Sequence, residues 1–147
     1  MPGPLSTEAA IIAQLKSAMT APFTVASHAA INALSPDELD RMSETWKFPL
    51  VVVEPQPADV YDISHTGSHI ILPQVWQISV QERHSVSGLV TDYSLLDTAI
   101  EDVLRALLGW SIPSGRPMRF MSFGGVTAES GYVEASLVFT TYFHMSN

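Results

Sequence analysis

In the stretch 92-DYSLLDTAIEDVLRALLGW-110, Leu96, Ala99, Ile100, Val103, Leu104, Leu107 and Leu108 return every three or four positions, which places them on one helix face. The helix is expected to begin near Thr91 or Asp92 and to stop at Gly109, with Pro113 beyond it. Glu101 and Arg105 stand one turn apart in the favourable order. Two strands are expected next, Met118 to Phe123 and Tyr132 to His144, around Gly124-Gly125 and Gly131. In the second, Val133, Ala135, Leu137, Phe139, Thr141 and Phe143 line one side; Tyr132, Glu134, Ser136, Val138, Thr140 and Tyr142 line the other. A helix with one apolar stripe must be covered by a sheet face. The end of the chain therefore reads as an αββ unit.

Upstream, Ser6 is expected to cap a helix running to about Met19, with Ile11, Ile12, Leu15, Ala18 and Met19 as its stripe. Pro22 ends it, and Phe23 to His28 reads as a short strand. Ser35-Pro36-Asp37-Glu38 combines a Ser cap, Pro at the first helical position and Glu three residues after the cap. The helix it starts is expected to bury Leu39, Met42 and Trp46. Leu50 to Glu54, between Pro49 and Pro55, reads as a buried strand. From Pro55 to about His69 no period is visible, and a loop of that length is a candidate contact arm. After Pro73, Trp76, Ile78 and Val80 alternate with Gln77, Ser79 and Gln81, as in a half-exposed strand. The expected fold is α+β: a mainly antiparallel mixed sheet packed against two or three helices. It forms one domain over 1–147 with a long irregular loop at about 55–69.

Composition narrows the function classes. A hydrophobic share of 46% beside only 15% charged residues is apolar for a chain of 147 residues, which favours either a partner-facing apolar surface or a well-filled core. With no cysteine there are no disulfides, thiolate metal ligands or thiol redox chemistry, and an intracellular origin is the default. Residues Met1 to Glu8 lack a basic leader, and no apolar run approaches the roughly 18 residues of a membrane span. A net charge of −8, with only 7 Lys and Arg, leaves no broad phosphate-binding surface, so tight nucleic-acid binding is not expected. Arg83, Arg105, Arg116 and Arg119 lie in the second half while acids crowd the middle, a split that either favours head-to-tail self-association or, as the plainer reading, arises by chance.

No constellation specifies chemistry. His65 and His69 have helical zinc spacing but flank Thr66-Gly67-Ser68, with Asp62 the one close third ligand, so solvated loop histidines are the plainer reading. There is no G-x-S-x-G turn, and Gly124-Gly125 lacks the lysine and helix of a phosphate loop. Asp97 and Glu101 fall opposite the leucine stripe and face water. Arg116 and Arg119, beside Trp110 in a Pro/Gly connection, form either a solvated loop or a contact for a partner's carboxylates.

The helix Asp97 to Trp110, Pro113, the strand around Arg119-Phe120 and the final Ala135 to Phe143 resemble the small tail terminator proteins of tailed bacteriophages, particularly those of Mu-like contractile tails. The resemblance implies a structural virion protein without catalytic residues, cofactor or metal. It would be assembled in the host cytoplasm and form a ring, expected to be a hexamer, at the head-proximal end of the tail tube. There it would end tube polymerisation and join tail to head. The implied partners are further copies of itself and the tube, sheath and neck or connector proteins, with no membrane. Asp59, Tyr61, Asp62, His65, His69, Arg116 and Arg119 are the candidate subunit or tube contacts. The alternatives are another neck or connector protein, or a small ligand-binding or enzymatic domain with a pocket of Trp76, Trp110, Phe120 and Tyr142.

Overall fold

The computed structural model describes residues 6–19, 24–58, 69–83, 86–87, 90–91, 93–112, 115–129 and 132–146. Its elements are α1 (Thr7–Ala18), β1 (Thr24–Ser27), α2 (His28–Asn32), α3 (Pro36–Ser43), β2 (Leu50–Gln56), β3 (His69–Arg83), β4 (Val86–Ser87), β5 (Val90–Thr91), α4 (Ser94–Leu107), β6 (Arg119–Glu129) and β7 (Tyr132–Ser146). The fold is α+β, as the periodicities require. Five strands form one mixed sheet in the order β1-β2-β3-β7-β6, parallel only between β1 and β2, and β4 and β5 form a separate small ladder.

One sheet face meets α1 and α4. Val51 and Val53 of β2, Trp76, Ile78 and Val80 of β3, and Val133, Ala135, Leu137, Phe139 and Phe143 of β7 are buried there against Ile11 and Leu15 of α1 and Leu96, Ala99, Val103 and Leu107 of α4. The strict alternation of β7 thus becomes burial: every second residue from Val133 to Phe143 is inside. Each large aliphatic side chain buried this way contributes about 1.5–3 kcal/mol. The opposite face lies under the crossover α2–α3, which two parallel neighbours such as β1 and β2 require.

Both prolines inside strands sit where the strand is paired on one side. Pro55 lies beyond Val53, where β1 stops pairing with β2, and Pro73 lies beyond Val75, where β2 stops pairing with β3. Each therefore has one unpaired side, the kind of position at which a strand tolerates proline. This is why β2 runs through Pro55 to Gln56, and β3 begins at His69 rather than after Pro73.

The Ser35 cap is confirmed: its hydroxyl oxygen accepts from Glu38 N at 3.2 Å and its O–H donates to Glu38 Oε1 at 3.0 Å. A further short helix, α2, is capped by Ser27 accepting from Ala30 N. Ser6 differs from expectation. It already has helical angles (φ −78°, ψ −7°) and makes no side-chain cap bond, since an N-cap needs extended backbone.

Three apolar stripes also shift. Ala18 is exposed on α1. Nothing on α3 is fully buried: Leu39 is half-buried and Met42 is 49% exposed, and Trp46, expected on this helix, lies beyond its end and is half-buried, because α3 roofs a groove instead of packing on a continuous core. On α4, which starts at Ser94, Ala106 and Asp102 are buried while Leu108 is 58% exposed. The packing partner sets this rotation, since Gln14 of α1 donates to the Ala106 carbonyl at 2.9 Å and draws that side inward. The helix ends at Leu108, whose backbone is extended (φ −65°, ψ 119°), and Gly109 follows at φ +77° in a turn that Trp110 N closes on the Leu107 carbonyl at 3.1 Å, an angle that glycine adopts freely.

Gly124-Gly125 lies within a strand and not between two strands. It is a bulge inside β6, where register slips between Phe123 and Val126, with Gly125 at φ +84°. Pairing continues to Glu129 opposite Tyr132.

Candidate assembly surfaces

β6 is an edge strand of 11 residues with β7 on one side only. Opposed residues of an antiparallel pair share a face. Phe120 faces Phe139, Phe123 faces Leu137 and Val126 faces Ala135, so all three project on the core side of the sheet. Yet α4 lies over β3 and β7 and leaves β6 uncovered. Phe120, Phe123 and Val126 stay 42%, 49% and 42% exposed, with Met121 at 61% beside them. An apolar ledge next to a row of unpaired backbone donors and acceptors is a ready template for another chain.

At the start of β6 the backbone of Arg116 is clamped to β7: its N–H donates to the Tyr142 carbonyl at 3.0 Å and its carbonyl accepts from Thr141 Oγ1 at 2.6 Å. Nearby, a Cβ on Gly115 would run into the Ile112 side chain, so this close approach needs glycine. Arg116 and Arg119 are both exposed and make no ion pair among the described residues. Arg119 stands opposite Thr140, so it projects on the face away from α1 and α4.

That face carries a groove of about 410 Å³ under α2 and α3. Ile31, Leu39 and Trp46 form its roof. Leu50, Val52 and Glu54 of β2, Gln77, Ser79 and Gln81 of β3, and Glu134 of β7 form its floor. Gln81 Nε2 donates to Glu134 Oε2 at 2.7 Å, fixing that carboxylate. His28 Nδ1 stands 3.7 Å from Glu54 Oε1. At the end of the same face, Phe48 stacks on Tyr132 at 5.6 Å between centroids, with the Arg83 guanidinium 5.0 Å from the Phe48 ring.

Neither a family model nor a curated protein matches the chain. Among solved structures, a chain in the virion of a native gene transfer agent particle is similar. It shares 19% identity over 95% of this chain and 88% of that one, at a TM-score of 0.49.

Of the residues singled out in the sequence, Arg116 and Arg119 lie together at one end of β6. Asp59, Tyr61, Asp62 and His65 lie outside the described residues, as does the side chain of His69 at the start of β3. The aromatic pocket does not form: Trp76 is in the core and Tyr142 projects from the opposite face of the sheet. Among the described residues no group of three or more His, Asp or Glu could hold a metal, and no helix is long and apolar enough to cross a membrane. The Glu101–Arg105 pair forms, exposed, at 2.6 Å.

Sequence reasoning missed the groove because seven of its lining residues come from three strands distant in the chain. The available signal was the polar row Gln77, Ser79 and Gln81 on a strand bounded by a buried neighbour. It also missed the ledge. There the signal was Phe120, Met121 and Phe123, apolar on both parities of one strand.

Proposed function

We propose that this chain is a non-enzymatic structural subunit of a phage-like virion, closing edge to edge into a ring on the head-proximal end of a tail tube. In this reading the ring ends tube polymerisation and offers its outer face to neck or connector proteins. The observation that carries self-assembly is β6: a long edge strand whose Phe120, Phe123 and Val126 are left bare by the helical layer. Burying such a ledge requires a neighbour, and the β6 surface differs from the grooved surface across the sheet. A contact between unlike surfaces propagates head to tail and makes a ring when the rotation closes.

The tail-terminator assignment, the six-fold number and a contractile tail rest on the resemblance of Asp97–Trp110 and Ala135–Phe143 to that family. The acidic balance suits a bore through which DNA passes, since carboxylates repel phosphate and basic clusters retain it. Negative-stain electron microscopy of the purified protein is the test. Closed rings with a central opening are expected, and open filaments or isolated subunits at all concentrations would contradict the reading.

A further inference from the structure

Resting on that ring reading, we infer that the groove under α2 and α3 receives an arginine of the next copy, Arg119, with Arg116 beside it. Glu134 supplies the need. Its carboxylate is held by the neutral amide of Gln81, and no cation pairs with it among the described residues. A half-buried carboxylate in a partly apolar groove is stabilised by a counter-charge that brings its own donors. Trp46 offers an aromatic wall to the same groove. A planar guanidinium fits both, because it donates in a fork to carboxylates and stacks on rings.

The chain's own arginine cannot reach Glu134 in its own groove. Arg119 stands opposite Thr140 on β7, six positions from Glu134, which separates them by roughly 20 Å along the strand. The occupant is therefore a second copy. The charges are complementary: a cationic corner without an internal partner at the β6 edge, and a groove with an uncompensated carboxylate farther across the same face of the sheet. Arg105 is already held by Glu101, and Arg83 lies over Phe48, so neither is available for this role.

Charge exchange between two variants tests the pairing. Arg119→Glu places acid against acid at every contact, and Glu134→Lys places base against base. Each alone should raise the concentration needed for assembly by about tenfold or more, the scale of one close interfacial charge pair. An equimolar mixture should reassemble into particles containing both variants in equal number, read by native mass spectrometry. Glu134→Gln, which preserves shape, should weaken assembly in the same direction and guards against misfolding of Glu134→Lys.

If the wild type assembles and all three variants assemble equally well, the arginine pairing is wrong and the ring reading stands. If each variant loses assembly and the mixture does not regain it, the two residues do not meet, and the pairing is again overturned. A wild type that stays monomeric overturns the ring reading and the pairing together.

Discussion

Phe120 meets Phe139 edge-on, with ring centroids 5.7 Å apart and planes at 66°, yet Phe139 is wholly buried and Phe120 is 42% exposed. The boundary of the core runs between these two rings. Inside it, the β7 residue is covered by the helical layer. Outside it, the β6 residue has the same chemistry and only partial cover. This contrast separates residues enclosed in the core from those partly exposed at the sheet edge.

Phe139→Ala is expected to cost about 3–5 kcal/mol, because it removes a large ring from a close-packed site. Phe120→Ala should cost about 1 kcal/mol or less, since much of that ring already meets water. Urea unfolding of dilute protein, below any assembly concentration, checks the difference. Equal losses would mean that β6 belongs to the core.

Leu107 and Leu108 are neighbours on opposite sides of the same limit, with exposures of 0% and 58%. Leu107→Ala should destabilise by about 2–5 kcal/mol. Leu108→Ala should stay within about 0.5 kcal/mol. Thermal or denaturant unfolding of the two variants would expose an error in the rotation of α4, because a rotated helix reverses the order.

Gly109 has φ +77°, and a Cβ there would meet no atom within 4 Å. Gly109→Ala therefore isolates backbone conformation from crowding. A left-handed alanine costs about 1–2 kcal/mol, so a loss of that size is expected in denaturant titration. An unchanged midpoint would show that the α4 stop does not need this angle.

Duplex DNA should bind weakly at about 0.15 M salt, with a dissociation constant no tighter than the roughly 10⁻⁴ to 10⁻⁶ M of nonspecific binders. Fluorescence anisotropy reads this directly. Submicromolar binding that falls steeply with added salt would move the protein to a DNA-handling role.

Much of the fold was legible where a residue's surroundings follow from its own strand or helix. The alternation of β7 translated directly into burial, whereas in β3 Trp76, Ile78 and Val80 are buried as expected but Ser79 between them is buried too, within the groove under α2 and α3. So did the Ser35 cap and the glycine stop, whose chemistry is local. What was not legible depends on neighbours. Pro55 and Pro73 look like strand ends until the lengths of β1 and β2 show that each has a free side. Asp102 and Ala106 are buried because α1 crosses that side of α4, which no periodicity contains. The candidate surfaces divide the same way. Arg116 and Arg119 stood out as a cationic pair in a Pro/Gly connection. Glu134 looked like one more polar residue on a strand until Gln81 and the α2–α3 roof enclosed it.

The central claim is that β6 joins one copy to the next. Multi-angle light scattering over a concentration series, for the wild type and for Phe123→Glu, tests it most directly. Phe123 is 49% exposed on an edge strand, so the substitution places a charge in the contact while sparing the core. A discrete oligomer is expected for the wild type and a folded monomer for Phe123→Glu. A wild type that remains monomeric throughout, or a Phe123→Glu oligomer identical to that of the wild type, would contradict it.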